Sequence, residues 1–169
     1  MVTDSQPMHL SRGRAWLAMV VSTRKAALSA DLALVAARAA LAWIFIVYGA
    51  QKLFGWFNGA GIHETALFMA NTAHLRPGGL WAVVGGVIEF GGAIAVALGL
   101  GARLAGLALF GDMVMAMITV TWVQGLHQAT PPGYELNVAL AGLALVVALL
   151  GAGRFSADAL VERRVVATE

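Results

Sequence analysis

Cysteine is absent from the 169 residues. That removes thiol catalysis, CxxC redox chemistry, thiolate zinc sites and covalent haem attachment from this chain. Charge is scarce too: Asp, Glu, Lys and Arg make up 12% of the sequence, against roughly 25% in a soluble domain. What is abundant is apolar: 60% hydrophobic residues, with 20 Gly besides. So short a chain cannot bury that much apolar surface in a core of its own, which argues against a soluble enzyme. A net charge of +2 and a pI near 9.5 would suit a nucleic-acid binder, but the placement of the basic residues points elsewhere.

Four long apolar runs stand out: Leu32–Leu53, Leu80–Leu100, Leu104–Val123 and Leu136–Ala152, of 17 to 22 residues each. About 20 residues of helix cross a bilayer core, and lipid offers no partner to an open backbone hydrogen bond, so each run is expected to be a membrane-spanning helix. Polar or turn-forming segments connect them: Asn58–Gly79, the tight Gly101-Ala102-Arg103, and Gln124–Glu135 with its Pro131-Pro132-Gly133. His63–Met69, inside the first connection, reads as a short helix on the outer surface that stops before Arg76-Pro77-Gly78-Gly79. The expected fold is all-α, an integral membrane four-helix antiparallel bundle with short interfacial helices at both termini. Residues 1–30 form a cytoplasmic, interfacial segment, 31–155 the four-helix domain and 156–169 a cytoplasmic helix.

With a cytoplasmic N-terminus, Arg12, Arg14, Arg24, Lys25, Arg103, Arg154, Arg163 and Arg164 lie inside, and only Lys52 and Arg76 outside. This bias places both termini in the cytoplasm and accounts for the high pI without nucleic acid. Trp56, Trp81, Trp122 and Tyr134 fall at the outer ends of the spans, as an interfacial aromatic belt would. The N-terminal stretch Ala15–Val21 is apolar, yet Arg24 and Lys25 stand where a cleavage site should be small and neutral, so a cleaved signal is not expected. At the other end, Ser156 can cap a final helix with Asp158 in its first turn.

An ionisable residue inside a span costs several kcal/mol unless paired, neutral or hydrated, so Arg38, Lys52, Glu89 and Asp112 are site candidates. Helical spacing puts Arg38, Ala42, Phe45, Gly49 and Lys52 on one face of the first span. Glu89 shares its face with Ala82, Gly85, Gly86, Gly92 and Ala93, and Asp112 with Ala105, Ala108, Ala116 and Thr119. Asn137, Ala141, Ala144 and Ala148 form a comparable stripe in the fourth span. Faces of small residues let helices approach, so all four are expected to look into the bundle.

A rise of 1.5 Å per residue sets Arg38 at ~9 Å and Asp112 at ~12 Å above the inner boundary, close enough for a structural ion pair. Glu89 (~18 Å), Asn137 (~20 Å), Thr119 (~22 Å) and Tyr48 (~24 Å) form a higher polar layer, where Glu89 has no cationic partner unless Lys52 reaches down to it. Glu89, Asn137, Tyr48, Lys52 and Thr119 are thus the candidate ligand-binding set. A carboxyl there suits a polar head group, a quinone carbonyl or a proton relay, and a hydrogen bond to Asn137 or a backbone carbonyl is the packing alternative. Lys52 can also simply snorkel to the interface. Outside, His63, His127 and Glu135 belong to a solvated rim. No HxxxH or HxxEH spacing occurs, and no metal is assigned.

The sequence resembles the DoxX family of small four-span bacterial and archaeal membrane proteins. The resemblance rests on Ala37-Arg38 and Gly49-Ala50-Gln51-Lys52-Leu53-Phe54-Gly55, on Glu89-Phe90-Gly91-Gly92 with Leu98-Gly99-Leu100 and Arg103, and on Glu135, Asn137 and Gly151–Asp158. It covers residues 33–160. The chain departs from the family's pattern at Ala152, where Pro is usual, and at Thr121-Trp122, where a His is common. Relatives include the membrane part of a thiosulfate:quinone oxidoreductase and components of oxidative-stress complexes. The resemblance therefore implies a bacterial plasma-membrane protein with a quinone-linked redox role for Arg38, Lys52, Glu89 and Asn137. With no metal, flavin or thiol motif and no covalent cofactor of its own, the chain would work beside a protein partner or as a homo-oligomer. A purely structural or assembly subunit is the alternative reading, and a small transporter or proton pathway the third.

Overall fold

The computed structural model describes residues 27–127 and 133–166. All regular structure among them is helical. Residues 1–26 of the expected N-terminal interfacial segment and the Pro131-Pro132 turn lie outside these residues, as do Arg12, Arg14, Arg24 and Lys25, while residues 27–30 already belong to the first helix.

Helix α1 runs over Ala27–Phe54, α2 over Gly61–Asn71, α3 over Gly78–Leu98, α4 over Ala102–Ala116, α5 over Glu135–Leu150 and α6 over Ala157–Val166. Helix α4 does not stop at Ala116. It continues as a π segment, Met117–Thr121, and a 3₁₀ turn, Trp122–Gln124. Three helices are long and apolar enough to cross a membrane: Leu28–Phe54, Gly78–Leu98 and Ala102–Gln124. The 16-residue α5 is apolar but shorter, about 24 Å at a helical rise.

Helix α1 packs along α3, α3 on α4, α4 along α5, and α5 touches α1, while α2 lies over α1 and α3. At Gly49 of α1 a Cβ would stand 2.5 Å from the backbone nitrogen of Phe90, so the contact between α1 and α3 is built on the missing side chain. The core gathers Leu41 and Phe45 of α1, Val96 of α3, Leu109 and Met113 of α4, and Ala144 and Val147 of α5. Outside it, large apolar side chains such as Trp43, Leu104, Ile118 and Leu149 stand exposed. A protein–water boundary would not tolerate that; a protein–lipid boundary requires it.

Three of the four expected inward faces are inward, with Ala141 and Ala144 buried on α5. Arg38, Ala42, Phe45 and Gly49 are buried, and so are Ala82, Gly85, Gly86, Glu89 and Ala93. On α4 the expectation needs correction: the buried stripe is Ala102, Gly106, Leu109 and Met113. Gly106 sits tight on Ala144 and Ala148 of α5, which turns the face carrying Ala108, Asp112 and Ala116 away from the core and toward α3.

The expected structural ion pair between Arg38 and Asp112 is also replaced by something else. The Arg38 guanidinium donates to four carbonyls: Nε to Val96 at 2.8 Å, Nη2 to Ala97 at 2.7 Å, and Nη1 to Ala152 at 2.8 Å and Phe155 at 2.9 Å. The first two belong to the last turn of α3, where the Val96 carbonyl also accepts from the Gly99 N–H at 3.1 Å, and a planar fork of five donors is the side chain that can reach such end-of-helix carbonyls together. Gly99 makes this possible. It ends α3 at φ +66°, and a Cβ there would lie 2.7 Å from Arg38 Nη2.

The segment after α5 closes the same end. Ser156 Oγ accepts from the Ala159 N–H at 3.2 Å, capping α6 as expected. Asp158 stands in the first turn of α6, as expected, and its carboxylate also reaches across to accept from the Gly101 and Ala102 N–H groups at 2.8 and 3.2 Å, capping the start of α4. Asp31, buried near the start of α1, accepts from the Arg154 N–H at 3.1 Å.

Candidate functional site

Three ionisable side chains from three helices converge on the side of the bundle that α2 covers. Lys52 comes from the last turn of α1, Glu89 from the middle of α3, and Asp112 from α4. The Lys52 ammonium donates to Glu89 Oε1 at 2.5 Å, and the Asp112 carboxyl lies against both. Lys52 thus does not snorkel outward but turns inward. Its last turn is tied down by α2, where Thr65 Oγ1 donates to the Gly61 carbonyl at 2.7 Å and lies 3.4 Å from the Lys52 carbonyl. Glu89 is 2% exposed, and one ammonium faces two carboxyl groups.

Lys52 and Asp112 form the polar end of a cavity of about 270 Å³ between α3 and α4. Its walls are otherwise apolar: Trp81, Val84 and Ile88 of α3, Leu107, Ala108, Met115 and Ala116 of α4, with Met69 and Leu75 closing the outer side. Thr119 of the π segment also lines it, its hydroxyl donating to the Met115 carbonyl at 2.8 Å. The cavity opens sideways, since Leu107 and Met115 in its wall are among the exposed apolar side chains. A second pocket of about 310 Å³, lined by Gln51, Asn58, Glu64 and Thr65 on the outer surface, shares Lys52 and Met69 with the first.

The candidate residues therefore separate. Lys52 and Thr119 line the cavity and Glu89 stands behind Lys52. Asn137 does not join them. It sits on α5, on the far side of α4 from Glu89, where it accepts from Thr121 Oγ1 at 3.3 Å and approaches Met113 Sδ at 3.8 Å. Tyr48 is 40% exposed and lines no part of the cavity. Arg38 is 14 residues from Lys52 along α1, about 21 Å away. Of the rim, His63 is exposed, while His127 Nδ1 lies 3.2 Å from Glu135 Oε1. Among the described residues no three His, Asp or Glu side chains converge as metal ligands would.

Trp81 belongs to the cavity wall rather than to an aromatic belt alone, whereas Trp122 stacks on Tyr134 at 5.4 Å. Met69, Leu75 and Ile88 carry no chemical signal in the sequence; only the packing of α2 over α3 makes them lining residues. Asp112 was legible as an intramembrane carboxylate, but its neighbours depend on the rotation of α4.

A family model matches residues 33–122, more than half of the chain: DoxX. The chain belongs to the DoxX family. No curated protein and no solved structure matches it. The matched region contains α1 from residue 33 onward, all of α2, α3 and α4, and every residue of the cavity. Gly151–Asp158, which resembles a family motif, lies beyond the match, and in this DoxX protein it serves the carbonyl cluster around Arg38.

Proposed function

We propose that this DoxX protein is a membrane subunit that holds a quinone-type amphiphile in the cavity between α3 and α4 and works beside a protein partner that carries the electrons. The observation that carries the reading is the cavity itself. Apolar walls open toward lipid and end on Lys52, Asp112 and the buried Glu89. An amphiphile that lives in the bilayer can enter such a space sideways, seat its ring against Trp81 and Ile88, and place its head group on the charged end. The family's thiosulfate:quinone relative supports the choice of quinone.

The same proposal takes α5 as a fourth span, giving a four-helix antiparallel bundle in a bacterial plasma membrane. Both termini are then cytoplasmic, by the excess of Arg and Lys on that side. The carbonyl cluster around Arg38 becomes the inner end and the Lys52 cluster the outer half.

Mass spectrometry of the protein released gently from its native membrane tests this reading. A retained prenylated quinone and a stoichiometric co-purifying oxidoreductase are expected. Wild-type protein carrying neither, with full stability, favours a subunit whose Lys52–Glu89 contact only fixes packing.

A further inference from the structure

The polar atoms at the end of the cavity are unequally matched. Glu89 Oε2 and Asp112 Oδ2 are buried without a hydrogen-bond partner. An ionised carboxyl group accepts and cannot donate, and Asp112 lines the cavity. Its Oδ1 lies on the Gly85 side, where Gly85 itself lines the cavity. Thr119 has spent its proton on the Met115 carbonyl, so its free lone pairs are acceptors as well. The donor in the wall is Lys52. Its ammonium is engaged by Glu89, and its side chain, 27% exposed, is shared between this cavity and the second pocket.

Acceptors in a low-dielectric site are costly until a donor meets them. We infer that the occupant's head group is a hydrogen-bond donor, so that the cavity takes the reduced, dihydroxy form of a quinone-type amphiphile in preference to the oxidised dione. The inference rests on the cavity being the amphiphile site proposed above. It adds which form is bound, and through which atoms: one head-group hydroxyl to Asp112 and the other, about two helical turns further along the helix, to Thr119.

Binding to the full chain in lipid nanodiscs, measured anaerobically as excess over empty nanodiscs, tests it with three probes of one shape. These are decylubiquinol, decylubiquinone and the dimethyl ether of the quinol, which has no donor. The quinol is expected to bind about tenfold or more tighter than either of the others, the worth of one hydrogen bond to a charged acceptor. Asp112→Asn should cut that preference to about threefold or less, and Thr119→Val, which leaves the charges in place, should reduce it in part. A dione or ether that binds as tightly as the quinol, or a preference unchanged in both variants, overturns the inference and leaves the cavity reading intact. Saturable binding of none of the three overturns the cavity reading itself.

Discussion

Lys52, in the last turn of α1, and Glu89, in the middle of α3, meet at 2.5 Å with the Glu89 carboxyl almost wholly buried. Such a pair is asymmetric in its energetics. Its net worth is small because both charges lost water, but removing one partner strands the other. Lys52→Met is therefore expected to destabilise the detergent-solubilised protein by about 3–5 kcal/mol, seen as a lower melting temperature. Lys52→Met with Glu89→Gln should recover most of that loss, and a double-mutant cycle measures the coupling. Additive losses would show that the two side chains do not act as a pair.

Arg38 carries the opposite lesson, since its four acceptors are all carbonyls and none is a carboxylate. Arg38→Lys keeps the charge and loses the fork, and three donors in place of five leave at least one of the four carbonyls without its side-chain partner. About 1–3 kcal/mol of stability should disappear with it. Asp112→Asn in that background should add its own effect independently. Coupling between positions 38 and 112 would restore the ion pair that the structure replaces.

At the start of α4, Asp158 caps two N–H groups from a distant part of the chain. Asp158→Ala should cost about 1–2 kcal/mol, and Asp158→Asn less, since the amide oxygen still accepts. Thermal melts of the three proteins check the order. Ligand binding, about one helix length away, should not change.

Ala108 projects into the cavity from an exposed position on α4 and touches none of the charged groups by hydrogen bond. Ala108→Phe should fill much of the space, leave the melting temperature within about a degree or two, and weaken amphiphile binding about tenfold or more. Asn137→Leu, outside the cavity, should leave binding alone. Equal effects of the two substitutions would separate the binding site from this cavity.

The sequence made the elements legible because apolar runs of bilayer length and their polar connections are strong signals. His63–Met69 appears as α2, and the expected Ser156 cap is present. Small residues around Glu89 likewise marked a buried face. What failed was rotation and reach. Glycine at 106 draws α4 onto α5 and so swings Asp112 toward α3. Depth alone paired Asp112 with Arg38, because a depth scale has no azimuth. A single polar layer joining Glu89, Asn137 and Tyr48 failed for the same reason. The π segment at Met117–Thr121 further shifts Thr119 and Thr121 relative to an unbroken α-helix, one onto the cavity and the other onto Asn137. Nothing in the local sequence Met117-Ile118-Thr119-Val120-Thr121 marks that change.

Occupation of the space between α3 and α4 by a quinone-type amphiphile can be read by photolabelling in native membranes with an azidoquinone, followed by peptide mapping. Adducts are expected on Met69, Trp81, Ile88 or Met115, lost when excess unlabelled quinol is present and lost in Ala108→Phe. Competable adducts confined to the surroundings of Asn137, or to the inner end near Arg38, would contradict it.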